Sequence, residues 1–188
     1  DNGEKEKWFS HTFNDFINLP GSMPEKLKGD EVTAKTQWTG SLYDSSYYYN
    51  PYMEKYRKEG NIKFPFFLTP DKHYVGAAWY QKEVNIPADW KGERILLFLE
   101  RPHIETTVWV NGQKTGMQNS LCVPHQYDIT RYVRPGKCTI TIRVDNRIKE
   151  INVGPDSHSI TDQTQGNWNG IVGRICLQTT PKTYFDDI

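Results

Sequence analysis

The sequence predicts an all-β fold, a jelly-roll-like β-sandwich of mainly antiparallel strands, and three observations carry that prediction. From Ala78 onward, short runs of alternating apolar and polar residues recur with turn residues between them. No amphipathic helical pattern of useful length interrupts these runs. Between two of them stands Asn111-Gly112, the dipeptide best suited to the paired positive φ angles of a type I′ hairpin turn.

Residues 1–20, with Glu4, Lys5, Glu6 and Lys7 ahead of Trp8, sustain no period and are expected to lie along the surface as an N-terminal arm. Residues 21–77 are rich in Gly, Pro, Ser and Tyr and read as a long loop with brief strands at 36–40 and 64–68. In the run 79–86, Tyr80, Val84 and Ile86 share one face, and Pro87, Asp89 and Gly92 end it. Residues 95–99 are apolar on both faces, the pattern of a strand covered on both sides. Ile104, Thr106, Val108 and Val110 alternate with Glu105, Thr107 and Trp109 ahead of the Asn111-Gly112 turn. One helical turn is expected at 128–133, closed by Pro135-Gly136, before strands at 139–144 and 173–178.

The bulk numbers narrow the function. With 23 basic and 23 acidic residues the net charge is zero, so no global field would gather nucleic acid or an anionic membrane. No apolar run reaches the roughly 20 residues that span a bilayer. Three cysteines, Cys122, Cys138 and Cys176, are too scattered for a zinc cage and read as small buried hydrophobes, and no cofactor or metal is called for. Aromatic residues make up 13%, a content that suits both pleated strands and stacking on sugar faces. The chain opens on Asp1 without a methionine, which fits a processed, exported product, periplasmic or secreted.

Three stretches in order then carry a likeness: residues 79–84 (WYQKEV), residues 100–112 (ERPHIETTVWVNG), and residues 162–171 (DQTQGNWNGI) with Arg174 close behind. From about residue 70 to 180 the chain resembles the N-terminal sugar-binding domain of glycoside hydrolase family 2, which includes β-galactosidases and β-glucuronidases. The resemblance implies a sandwich domain over 21–180 beside an immunoglobulin-like domain and a catalytic TIM barrel, with 181–188 beginning the link to them. It also implies that the chain alone is no enzyme. The family's acid/base lies in an Asn-Glu pair on the barrel, and this sequence has no Asn-Glu dipeptide and no room for the roughly 250 residues of a barrel.

The candidate substrate-binding residues follow from that likeness. In relatives, a loop of this domain reaches over the barrel mouth, and residues 162–169 match it. Asp162, Gln163, Gln165, Asn167 and Asn169 place five planar amide or carboxylate groups in eight residues, and Trp168 adds a flat apolar face. Sugar hydroxyls want planar bidentate partners, and the CH face wants an aromatic ring. The same residues would equally serve a turn's backbone, with Trp168 in the core. Several relatives carry an acidic residue at what spacing gives as Thr164, so the sugar cannot be named. A second candidate loop, 71–74, offers His73 and Tyr74.

As a free-standing catalyst the chain offers only the carboxylate pairs Glu100 with Glu105 and Asp186 with Asp187, better read as salt-bridged or solvated surface groups. It has no Gly-x-Ser-x-Gly elbow, Walker loop or His-Glu-x-x-His. The expected partners are therefore carbohydrate and the downstream immunoglobulin-like and TIM-barrel domains. Two alternatives are an autonomous carbohydrate-binding module using Trp38, Tyr48, Tyr49 and Tyr52 as a platform, and a structural domain whose segment 47–52 packs on a neighbour.

Overall fold

The computed structural model describes residues 1–41, 44–66, 68–149 and 156–185. Among the described residues ten strands run in order: β1 (Gly21–Ser22), β2 (Asp30–Glu31), β3 (Lys72–His73), β4 (Ala77–Ile86), β5 (Arg94–Pro102), β6 (Glu105–Val110), β7 (Gln113–Asn119), β8 (His125–Asp128), β9 (Gly136–Asp145) and β10 (Gly170–Thr180). The chain forms two compact units. The first comprises Asp1–Ser22, Gly76–Arg147 and Asn169–Ile188, and the second Met23–Val75 and Ile148–Trp168.

The first unit is the expected all-β sandwich. One antiparallel sheet has the order β1-β10-β5-β8 and the other β4-β9-β6-β7. From β4 to β10 the chain crosses repeatedly between the sheets, which is the jelly-roll-like feature of the topology. The core draws on both sheets, with Ile95, Leu97, Leu99, Tyr127 and Ile171 from the first and Tyr80, Val108, Val110, Ile142 and Val144 from the second. Successive strand side chains point to opposite faces, so the even-numbered residues of β9 enter this core.

Strand β5 is buried on both faces over 95–99, as its continuous apolar run predicts. Asn111 and Gly112 have φ of 49° and 77°, and Val110 pairs with Gln113 across them, giving the expected two-residue hairpin. The helical turn is a 3₁₀ turn at Thr130–Tyr132, begun by the Asp128 carboxylate, which accepts the Thr130 N–H at 3.0 Å.

Residues 1–11 lie over the outer face of the second sheet. Phe9 stacks on Trp109 with ring centroids 5.2 Å apart, and the Trp8 ring meets Trp79 edge-on at 5.9 Å. Arg143 fans its guanidinium to Asp1 at 2.9 Å, Glu105 at 2.9 Å and Asp145 at 2.7 Å. Asp145 also takes Arg147, and Asn146 accepts the Gly76 N–H, so the 145–147 turn is occupied internally. Cys138 is buried as expected of a small hydrophobe, whereas Cys122 is exposed beside the equally exposed Val123.

The second unit has little ladder structure, a two-stranded β2-β3 sheet and a helical turn at Ser46–Tyr49 followed by a 3₁₀ stretch at Pro51–Tyr56. The strand expected at 36–40 is absent. Residues 39–40 form a bend, and the Thr39 backbone bonds to a side chain and a loop instead of a neighbouring strand. The described part of 64–68 is no strand either, and Phe67 lies outside the described residues. Phe64 and Phe66 pack their rings on Trp38.

Inside the sandwich the Thr106 hydroxyl lies 2.6 Å from both His125 Nδ1 and the Tyr127 hydroxyl. Burial holds the His125 imidazole below its ordinary value of 6.5 and pushes the Tyr127 phenol up to about 12. The unfolded chain therefore binds the His125 proton more readily than the folded one. Stability should be complete above about pH 6.5 and fall as pH drops through that value toward the depressed folded pKa. Urea unfolding at pH 7.5 and 5.5 checks this, and His125→Asn should flatten the difference.

Candidate functional site

Three segments of the second unit converge on one carboxylate. Asp162 is 4% exposed. Its Oδ2 accepts the backbone N–H of Thr39 at 2.7 Å and lies 3.3 Å from His73 Nε2. Its Oδ1 accepts the N–H of Asn167 at 2.7 Å. The Asp162 N–H donates in turn to the Thr39 carbonyl at 3.1 Å. A buried carboxyl group needs hydrogen-bond partners, and the Thr39 and Asn167 N–H groups supply them.

Around it the turn closes on itself. The N–H groups of Thr164, Gln165 and Gly166 all point to the Thr161 carbonyl, at 3.2, 3.1 and 3.2 Å. Asn167 reaches from the far end of the turn to the Thr39 hydroxyl at 2.9 Å, and the Thr161 hydroxyl donates to the Thr39 carbonyl at 3.2 Å. Earlier in the loop, Asp156 accepts the Ser41 N–H at 2.6 Å.

His73 is set by the pairing of β3 with β2 and by Gly29. Gly29 has φ 117°, and a Cβ there would come within 2.8 Å of the His73 carbonyl, so a larger residue would displace the histidine's backbone. Trp38 packs edge-on against the imidazole with centroids 4.7 Å apart. Tyr74 follows, half-buried.

The structure thus sorts the expected site residues. Asp162, Asn167 and His73 are buried and joined in one cluster. Gln163 and Trp168 are half-buried and Gln165 is exposed. Asn169 belongs to the first unit and is fully buried. It accepts from the Tyr80 hydroxyl at 2.7 Å and donates to the carbonyls of Gly76 at 3.0 Å and Val144 at 2.9 Å. Gln163 Oε1 and Trp38 Nε1 are shielded from water without a hydrogen-bond partner.

Sequence reasoning missed Thr39. It supplies backbone N–H, carbonyl and hydroxyl to the 156–168 loop across 123 positions of chain, and a Thr in a loop carries no local signal of that. Trp38 departs from the tyrosines it was grouped with. Its ring is packed among Phe64, Phe66 and His73, whereas Tyr48, Tyr49 and Tyr52 are 51, 72 and 85% exposed.

The candidate acids Glu100 and Glu105 are engaged separately, one on each sheet. Glu100 on β5 accepts the Arg174 N–H at 2.8 Å, and that backbone bond, with the Arg174 side chain, holds its carboxyl below the ordinary range. Glu105 sits on the other sheet, paired with Arg143. A general acid for glycoside hydrolysis needs the opposite shift. Asp186 and Asp187 lie outside the described residues. No group of three or more His, Cys, Asp or Glu among the described residues is arranged to hold a metal.

The family described as glycosyl hydrolases family 2, sugar binding domain, matches residues 17–181. The chain belongs to this family. Among curated relatives, human β-glucuronidase is 30% identical over 139 residues, covering 62% of this chain and 21% of the relative. The family 2 chain thus spans about a fifth of the length of the curated relatives it matches. Among solved structures, β-glucuronidase from an uncultured Clostridium species aligns over 96% of this chain and 26% of its own, with a TM-score of 0.60 and 19% identity. At that identity the likeness concerns the fold. Bacteroides uniformis β-glucuronidase 2, bound covalently to cyclophellitol-6-carboxylate aziridine, is 26% identical over 57% of this chain and 12% of its own, with a TM-score of 0.50.

Asn169 and Gln165 separate by this geometry. Asn169→Ala removes the acceptor of the Tyr80 hydroxyl and a donor to the Gly76 and Val144 carbonyls inside the sandwich, and should cost about 3 kcal/mol. The exposed Gln165→Ala should stay within about 0.5 kcal/mol. Urea unfolding of both variants measures the contrast.

Proposed function

We propose that this chain is the non-catalytic N-terminal carbohydrate-binding domain of an exo-acting family 2 glycoside hydrolase. In the full enzyme the 162–169 stretch, with His73 and Tyr74, contributes to the substrate site. The observation that carries this reading is the family match over residues 17–181. The geometry of the second unit supports the loop's part in it. The clamped turn leaves Gln165 exposed and Gln163 and Trp168 half-exposed, which combines amide groups for hydroxyls with an aromatic face. Separate engagement of Glu100 and Glu105 by Arg174 and Arg143 supports the non-catalytic half. On this reading the immunoglobulin-like and TIM-barrel domains supply the remaining site and the two catalytic carboxylates. The relatives' names make a β-glucuronide the first substrate to try.

One observation favours a second reading. Tyr48, Tyr49 and Tyr52 are exposed on a well-braced segment, with Asn50 accepting the Tyr52 N–H at 2.9 Å and the Tyr47 hydroxyl reaching the Tyr56 carbonyl at 3.1 Å. Such a segment suits an autonomous sugar platform or a domain-packing surface.

The two readings part in a titration of the 188-residue chain with glucuronic acid, galactose and plant-type oligosaccharides, followed by amide NMR. The accessory-domain reading expects no saturable shifts at 48–52 and no hydrolysis of p-nitrophenyl glycosides by the chain alone. Saturable shifts at Tyr48, Tyr49 and Tyr52 would replace it with the autonomous module, and turnover by the chain would refute it.

A further inference from the structure

We infer that Asp162 is a positioning residue: it meets no sugar itself and holds the 156–168 loop in the shape that presents Gln163, Gln165 and Trp168. The inference rests on the reading of the chain as a glycosidase domain and deepens it. Asp162 is 4% exposed, with Oδ2 already serving the Thr39 N–H and His73 Nε2 and Oδ1 serving the Asn167 N–H. To accept a sugar hydroxyl it would have to leave a charge-assisted bond and become solvated, so direct contact competes with the loop's own closure. Further along the turn Gln165 is exposed, and Gln163 and Trp168 keep part of their surface.

The carboxylate is suited to this work because it is acceptor-only. Two backbone N–H groups, from segments 123 positions and five positions away, converge on it from different directions. Asp162→Asn keeps the volume and replaces one acceptor oxygen with an NH₂ group. Whichever way the amide is turned, one of the two N–H donors then faces another donor. Either the 36–41 segment or the 167 end of the turn must come away.

The test uses the full-length enzyme that carries this chain, with whichever of p-nitrophenyl β-D-glucuronide and p-nitrophenyl β-D-galactoside the wild type turns over better. Asp162→Asn should raise KM about tenfold while kcat stays within about threefold. Backbone hydrogen exchange of the peptides covering 36–41 and 156–168 should quicken in parallel. Gln165→Ala should raise KM with exchange unchanged. If Asp162→Asn raises KM while exchange stays at the wild-type rate, Asp162 touches the sugar and the inference fails. If exchange quickens while KM holds, Asp162 is merely structural and the inference fails as well. Should Asp162→Asn not fold, Asp162→Glu, which keeps the carboxylate and moves it by one methylene, is read by the same two measurements: a raised KM together with faster exchange is expected, and either one alone overturns the inference. A wild-type enzyme that turns over neither of these nor any other p-nitrophenyl glycoside overturns the glycosidase reading and this inference with it, a result distinct from an active wild type with an unaffected variant.

Discussion

Strand β9 is the constraint on which the first unit depends, because β4 holds one of its edges and β6 the other. With both edges occupied, each face must be satisfied on its own terms. The inward face, Cys138, Ile140, Ile142 and Val144, is apolar and lies in the core. The outward face carries Thr139, Thr141, Arg143 and Asp145, and the last three are also buried. A guanidinium buried on a sheet face must be compensated, and the compensation explains the shape of the chain's start. Asp1 reaches Arg143 from the arm, Glu105 from β6 and Asp145 from β9 itself, while Trp8 and Phe9 close the aromatic surface of Trp79 and Trp109. The arm is therefore the second cover of the sheet.

The second unit solves the same accounting differently. It has almost no ladder to take up backbone N–H and carbonyl groups, yet buried groups must find partners. Side chains take that role: Asp162 serves the N–H groups of Thr39 and Asn167, and Asp156 and Asn50 do the same at the exposed Ser41 and Tyr52. A loop built in this way depends on a few polar side chains for its shape. That dependence is why one carboxylate can govern where the neighbouring amides point. It also fits the absence of a strand at 36–40, where the Thr36 N–H turns back to Thr33 and the Thr39 N–H and carbonyl go to the 156–168 loop.

The candidate site mixes two kinds of residue that sequence cannot tell apart. Asn167, Asn169 and Asp162 have the chemistry of sugar recognition, and each is used for internal hydrogen bonds. Gln163, Gln165 and Trp168 have the same chemistry and keep more of their surface. Polar planar groups are good at both tasks, so their presence in eight consecutive residues marks the loop without assigning the roles. His73 shows the same limit, since its partner Asp162 is 89 positions away.

The sequence by itself determined the sandwich, because period-two alternation in β4, β6 and β9 and the Asn111-Gly112 turn are local properties of neighbouring residues. It also determined the family, through three short stretches whose order and spacing survive without any coordinates. Only the tertiary structure decided what the second unit does with its polar residues. Thr39, His73, Asp162 and Asn167 come together from distant parts of the chain, and which of them face inward depends on contacts that no window of sequence contains.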